Sequence, residues 1–254
     1  MELIIAYEND AAGYNMAKHI SSTMKMENGI YKGQFYDVII INSPTIYADW
    51  IAKYNDYEGY IFLSKHAAKS NILSLTCHST GIVQTNSTNQ IQQVSTPHPY
   101  LQKSYIRSLW NNRNNFQKFK ITLEATHHGP SSLHKPTLFI EIGTTETQWN
   151  DVALCKSISE IVMQNLPIKK SYSTAIGLGG THYPDKFTNE IIHGKYAFGT
   201  IIPSYNIKFL NRVLFNHILK RNYMANSIII DTNELKMNDV SHLISNLDME
   251  IIRI

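Results

Sequence analysis

Short, uninterrupted apolar runs punctuate this chain, and they constrain its fold more than any other feature. The clearest is Val38-Ile39-Ile40-Ile41, directly after Asp37. A β-branched run without polar alternation suits a strand buried on both faces, as in parallel sheets. Comparable segments predict strands at Glu2–Ala6, Gly59–Leu63, Ile72–Cys77, Ile121–Ala125, Thr137–Ile142, Tyr172–Ile176, Ser227–Ile230 and Met249–Ile252. Helical spacing fills several of the intervals. Asp10 reads as the N-cap of a helix to about Met26, with Ala12, Met16 and Ile20 on one face. Lys103–Phe116 predicts a basic helix. A helix capped by Thr144 or Thr145 would carry Trp149, Val152, Leu154, Ile158 and Ile161, and Ile207–Arg221 predicts another. Strands alternating with helices give an α/β fold, a mostly parallel mixed sheet covered by helices on both faces.

The chain has 254 residues, 43% of them hydrophobic and 17% charged. That balance is wrong for disorder, and the length suffices for a sizeable core. No Pro/Gly/Ser-rich linker and no internal repeat divides it. Residues 1–254 therefore read as one domain with a polar excursion at about 84–99. Cys77 and Cys155 are too few for a tetrathiolate site and suit a reduced, intracellular setting. Glu2 stands where an export signal would carry a basic residue. The longest β-branched run falls far below the roughly 18–20 apolar residues of a membrane span. The expectation is a cytoplasmic protein without membrane contact, and a monomer.

Net charge is only +3, but it is segregated. Gly59–Leu123 contains no Asp or Glu and holds Lys65, Lys69, Lys103, Arg107, Arg113, Lys118 and Lys120. Ile191–Ile230 is also acid-free and holds Lys195, Lys208, Arg212, Lys220 and Arg221. Such segregation can build a positive face for a phosphate chain.

In open α/β sheets, sites lie beyond the carboxyl ends of strands. Here the predicted strands are followed by Ser64-Lys65-His66, by His78, by Thr126-His127-His128, and by Thr181-His182-Tyr183 after a Gly177-Leu178-Gly179-Gly180 turn. Glu141 closes another strand, with Gly143-Thr144-Thr145-Glu146 behind it. Five of the 11 histidines thus gather at strand ends, a pattern suited to metal-assisted hydrolysis or general base chemistry. His127 and His128 would point to opposite sides of an extended chain. At most one would then serve a given ion, unless the backbone turns sharply. The glycines do not fit a dinucleotide fingerprint, because His182 occupies the last glycine position. There is no Walker A loop, no G-x-S-x-G elbow and no CxxC pair. A Gly-rich turn still lets backbone N–H groups approach a phosphate or an oxyanion.

Five blocks together carry a resemblance: Ser64-Lys65-His66; Leu75-Thr76-Cys77-His78-Ser79-Thr80-Gly81; Leu123-Glu124-Ala125-Thr126-His127-His128-Gly129-Pro130; Phe139-Ile140-Glu141-Ile142-Gly143-Thr144-Thr145-Glu146; and Gly179-Gly180-Thr181-His182-Tyr183. In order and spacing they resemble the D-aminoacyl-tRNA deacylase family of the archaeal and plant type. The resemblance spans most of the chain and departs at Pro184-Asp185-Lys186-Phe187-Thr188 and at Cys77. It implies an esterase that frees tRNA and D-amino acid from mischarged tRNA. It also implies a zinc (Zn2+) requirement and a fold related to peptidyl-tRNA hydrolases and phosphorylases.

On that basis the expected metal ligands come from His78, His127, His128, Glu141 and His182. His66 or Glu146 would handle the proton. Lys65, Lys103 and Arg107 would meet acceptor-stem phosphates, and Gly179, Gly180 and Thr181 would line the substrate site, with backbone N–H groups facing the oxyanion. The competing readings are a metal-independent peptidyl-tRNA hydrolase-like enzyme, a nucleoside phosphorylase-like enzyme, and a non-catalytic tRNA-binding module. The last would bind in a salt-dependent way without chemistry.

Overall fold

The structure is a computed structural model, and it describes residues 1–68, 71–85, 91–169, 172–245 and 247–254. Lys69 and part of the predicted polar excursion lie outside the described residues. The chain begins β1 (Glu2–Tyr7), α1 (Ala11–Ile20), β2 (Lys25–Glu27), β3 (Ile30–Lys32), β4 (Tyr36–Ile41), a 3-10 segment at Thr45–Lys53, β5 (Gly59–His66) and β6 (Ser74–His78). The next elements are β7 (Gly81–Ile82), β8 (Gln93–Val94), α2 (Pro99–Asn111), β9 (Lys120–Leu123), β10 (Thr137–Gly143), α3 (Glu146–Trp149) and α4 (Val152–Gln164). The chain ends with β11 (Ser173–Leu178), α5 (Asp185–His193), β12 (Tyr196–Ile202), α6 (Ser204–Ile207), α7 (Arg212–Arg221), β13 (Ser227–Ile230), α8 (Met237–Ile244) and β14 (Glu250–Arg253).

The elements form an eight-stranded mixed sheet in the order β2-β3-β4-β1-β5-β10-β6-β9 and a four-stranded sheet in the order β12-β11-β13-β14. The pairs among β4, β1, β5 and β10 are parallel, as are all pairs of the smaller sheet. This is the mostly parallel α/β architecture expected from the apolar runs. One buried cluster draws on both sheets, joining Ile4, Leu63, Leu123 and Ile140 to Ala175, Phe198, Ile201 and Ile229.

Asp10 caps α1 by accepting from the Gly13 N–H at 2.9 Å. The helix stops at Ile20, short of Met26, because a hairpin begins at Lys25. Asn28 and Gly29 both take positive φ, 51° and 81°, the two-residue turn that Asn-Gly favours. The basic helix starts earlier than expected, with Pro99 in its first turn, and ends at Asn111. The two other expected helices are each broken. Asp151 caps α4 anew after the single turn of α3, and Asn211 caps α7 after α6, each accepting from an N–H three residues on. Gly81–Ile82 and Gln93–Val94 pair as a short hairpin where a plain loop was expected. Among the described residues, no helix is long and apolar enough to cross a membrane.

Candidate active site

Four neighbouring strands set their polar side chains on one face of the large sheet. Across β5 and β10, Glu141 pairs with Ser64 and Gly143 with His66. Across β10 and β6, Glu141 pairs with Thr76 and Phe139 with His78. Across β6 and β9, Thr76 pairs with Thr122. Paired residues share a face, and alternate residues return to it. His66, His78, Phe139, Glu141 and Thr122 therefore face one way, and Glu124 continues that line two residues after Thr122. Because β6 runs antiparallel to β10, His78 arrives beside the middle of β10. The site thus lies over the face of the sheet, not along one carboxyl edge as the strand-end rule predicted.

The stretch after β9 seams the two sheets. The Ala125 N–H donates to the His182 carbonyl and the Thr126 N–H to the Ile201 carbonyl, both at 2.9 Å. These bonds carry His182 and Tyr183 onto the same face. His127 and His128 do not point apart. His128 takes φ 38°, the chain turns, and both rings pack on His78, with centroids at 4.2 and 4.8 Å. Phe139 is the floor under His78 and His128.

Three of the histidines have the same orientation. Nδ1 of His78 meets the Ser79 carbonyl at 3.1 Å, that of His127 the Ala125 carbonyl at 2.8 Å, and that of His128 the Gly129 carbonyl at 2.7 Å. A carbonyl can only accept, so each Nδ1 carries the proton. In the neutral ring, Nε2 then keeps its lone pair. The three rings offer ligand atoms within 4.8 Å of one another, and so do the sets His66–Glu124–His182 and His78–Glu124–Glu141. Fixing Nδ1 by a second group is how ligating histidines are ordinarily oriented.

His66 is different. Its Nδ1 lies 3.0 Å from Glu141 Oε2 and 3.1 Å from Glu124 Oε1, and its Nε2 lies 2.7 Å from the Tyr183 hydroxyl. Burial pushes the ring toward neutrality, but the two carboxylates, Glu124 and Glu141, outweigh burial and raise its pKa to about 10. Burial also works against the two carboxylates. His182 and His66 nonetheless hold Glu124 well below its ordinary range, and His66 and His78 hold Glu141 down. His127 and His128 are pushed the other way by burial and by the charge of His78, His128 to about 4.

The pocket has unmet bonding capacity. Among the described residues, His78 Nε2 and both Glu124 oxygens are buried without a properly aligned hydrogen-bond partner, although His66 Nδ1 approaches Glu124 Oε1 at 3.1 Å and His182 Nε2 approaches Oε2 at 3.0 Å. Buried carboxylate oxygens and an imidazole nitrogen left in this state fit a cation that displaces the imidazole proton. Beside them opens a cavity of about 530 Å³, walled by His127, His128, Thr126, Asp49, Tyr47 and Asn206 among others.

The expected residues thus divide. His66, His78, His127, His128, Glu141 and His182 converge. Glu146 does not; it is exposed at the start of α3. Lys103 is fully buried, and its ammonium donates to the Gly194 and Tyr196 carbonyls, so it cannot meet a phosphate. Burial and Arg107 lower its pKa to about 8. Arg107 and Lys65 are exposed, Lys65 4.9 Å above the Trp149 ring. Gly179 spends its N–H on the Ile202 carbonyl, and a side chain there would strike Asp231. The glycine pair, at φ 107° and 75°, shapes the turn toward His182, and the N–H of Gly179 is not left for an oxyanion. Thr181 is exposed, and its hydroxyl donates to the Tyr183 carbonyl. The basic stretches are partly spent as well. Arg113, Arg212 and Arg221 donate to carbonyls, and Lys120 pairs with Asp185.

Two groups that the structure brings to this cluster were not among the expected site residues. Glu124 was hidden in a strand read as core, though it is the only acid in its block and lies out of phase with Leu123 and Ala125. Tyr183 becomes visible only once the second sheet is placed.

Comparison with known proteins places the chain in a family. A family model described as D-aminoacyl-tRNA deacylase matches residues 53–253. A D-aminoacyl-tRNA deacylase of Cenarchaeum symbiosum is 40% identical over 256 residues, covering 99% of each chain. One of Archaeoglobus fulgidus is 30% identical, covering 99% of this chain and 94% of its own. The crystal structure of a conserved protein of unknown function superposes with a TM-score of 0.91 at 26% identity, covering 100% of this chain and 95% of that one. By sequence over nearly its whole length, the chain belongs to the D-aminoacyl-tRNA deacylase family.

Proposed function

We propose that the protein hydrolyses the ester between a D-amino acid and the 3′-terminal ribose of tRNA, assisted by a divalent cation of the zinc type. The observation that carries this reading is the cluster of His78, His127 and His128 with Glu124 and Glu141 behind His78, its two outer rings, His127 and His128, opening onto the cavity. Relatives named for this activity support it. Residues 1–254 act as one unit in this reading, because the donors come from both sheets.

Imidazole nitrogen with carboxylate oxygen is a zinc-type donor set. His78, His127 and His128 would hold the ion, with Glu141 and Glu124 at hand and His182 against Glu124. Bound there, it would polarise the ester carbonyl and lower the pKa of a water. The chain's own residues do the rest. Three backbone carbonyls fix the histidine rings. Glu124 and Glu141 keep His66 charged, and His66 holds a proton toward the Tyr183 hydroxyl. Water adds to the acyl carbon and gives up a proton, and the bond to the ribose oxygen breaks. That oxygen takes the proton His66 releases through Tyr183, the proton lost by the water recharges His66, and the freed amino acid's carboxyl ionises to solvent. Exposed Lys65 and Arg107 remain available to phosphates.

A metal-independent route is the second reading, because His127 and His128 are held neutral by burial and can accept a proton from water. Ester loss from D-tyrosyl-tRNA and L-tyrosyl-tRNA, with and without chelator, separates the two. Loss of the D form alone, abolished by chelator and restored by zinc, is the expected result. D-specific loss unaffected by chelator would replace the cation with a histidine base, and loss of neither form would overturn the activity.

A further inference from the structure

We propose that the exposed side of the segment Thr45–Lys53 is a stacking track for the unpaired 3′ end of tRNA, leading its terminal nucleoside into the cavity beside His127 and His128. The inference rests on the tRNA reading above. A 3-10 helix has three residues per turn, so side chains three apart line up on one side. Tyr47, Trp50 and Lys53 have that spacing. The Lys53 ammonium lies 4.7 Å over the Trp50 ring and 5.0 Å over that of Tyr54, which joins them on one surface. Ala48 departs from helical φ/ψ, yet Tyr47 forms part of the cavity wall and remains 72% exposed. Trp50 is 39% exposed. The opposite side of the segment, Thr45, Ala48 and Ile51, is buried, with Ala48 and Ile51 in the cluster of Leu3, Phe62 and Phe139. The aromatic side is therefore presented by a firmly seated element.

An exposed aromatic line that runs into a site cavity is surface waiting to be covered. Its chemistry selects single-stranded nucleic acid. Unpaired bases stack on aromatic side chains, and a cation on the same line tracks the backbone. Among the described residues no Lys or Arg lines the cavity, and Asp49 does. An uncharged nucleoside suits that interior, and phosphates are left outside, at Lys53. On the wall, the amide oxygen of Asn206 is buried without a hydrogen-bond partner among the described residues, a group that the amino edge of a base would satisfy. Ile91, 69% exposed, also borders the cavity.

The test is binding of an uncharged acceptor-stem minihelix with an unpaired CCA tail, against the same helix with a blunt end. It is read by anisotropy and by quenching of tryptophan fluorescence. Stacking is worth between about fivefold and 150-fold in affinity per base. Trp50→Ala and Tyr47→Ala should each weaken tailed binding at least about fivefold and leave blunt binding within about twofold, while Trp50→Phe retains tailed affinity. Lys53→Ala should lower the salt slope by about one. Melting curves check that each variant folds, and the comparison of tailed with blunt RNA needs no variant. The proposal is overturned if either alanine variant binds the tailed helix as wild type does, if both helices weaken equally, or if the wild type ignores the tail. D-tyrosyl-tRNA hydrolysis by the same preparation is scored separately. Its absence with tail preference intact would sink the activity and leave the track standing.

Discussion

The two faces of the large sheet differ by a shift of one residue along each strand. On one face, Leu75, Cys77, Leu123, Ile140 and Ile142 join the main apolar cluster. On the other, Thr76, His78, Glu124 and Glu141 are equally buried, yet they form a network of charge with unmet valence. Burial is the same and chemistry is opposite. Apolar burial contributes stability in proportion to area. A buried charge costs free energy unless something pairs with it. The network tolerates this through mutual neutralisation, His66 by two carboxylates and Glu124 by His66 and His182, and its uncovered atoms are where a ligand would be held.

The most severe way to test this contrast is to change neighbours. Glu141→Gln and Glu124→Gln should each lower kcat/KM for D-tyrosyl-tRNA by about 10³, within the range that general acid–base groups supply, with the fold retained by circular dichroism. Ile140→Ala, one residue away, should cost about 2–5 kcal/mol in denaturant unfolding and leave activity per folded molecule within a few-fold. If Ile140→Ala abolished turnover in the folded fraction, the two faces would not be functionally separate.

Much of this contrast was legible in the sequence. The β-branched runs located the central strands, and the histidines after them located most of the site. What failed did so for physical reasons. Glu124 follows Ile121-Thr122-Leu123, where strand propensity points to core, and only pairing with β6 and the seam to β12 reveals which way it faces. Lys103 looked like a phosphate ligand because sequence shows charge and not exposure. It lies on the buried side of α2, against the Gly194 and Tyr196 carbonyls. The Asn28-Gly29 turn was a readable hairpin signal that helical spacing obscured. The opposed directions of β6 and β10 were not readable, because antiparallel pairing between strands far apart in sequence leaves no local trace.

A smaller effect concerns the histidines themselves. Cation binding displaces ligand protons. Burial and the charge of His78 hold His127 well below its ordinary range and His128 at about 4, so neither ring sets a proton against the cation as an exposed histidine would; His78, raised by Glu141 and Glu124 against its burial, does. Zinc affinity measured by chelator competition between pH 5 and 6 should therefore rise about tenfold per unit, one proton released, rather than about a thousandfold. A three-proton slope would mean that the rings are ordinary exposed histidines and that the buried network does not exist in solution.

The mildest test uses a buried carboxylate whose valence is met. Asp37, fully buried on β4, accepts from Lys32 Nζ and the Tyr57 hydroxyl at 2.6 Å and from the Gly33 N–H at 3.0 Å. Burial raises its pKa, but Lys32, Tyr57 and Gly33 outweigh burial and hold it below the ordinary value. A carboxylate with a lowered folded pKa contributes stability above its unfolded pKa, near 3.9, and loses it as pH falls through the folded value. Asp37→Asn should therefore cost about 2 kcal/mol at neutral pH, the gap from wild type should close below about pH 4, and kcat/KM should not move. Asp37 and Glu124 are both buried carboxylates in one sheet. Of the two, Glu124 has oxygens with no aligned donor among the described residues, and that difference separates a carboxylate that holds the fold from one placed to serve the proposed reaction. An equal loss of activity in Asp37→Asn would erase the distinction.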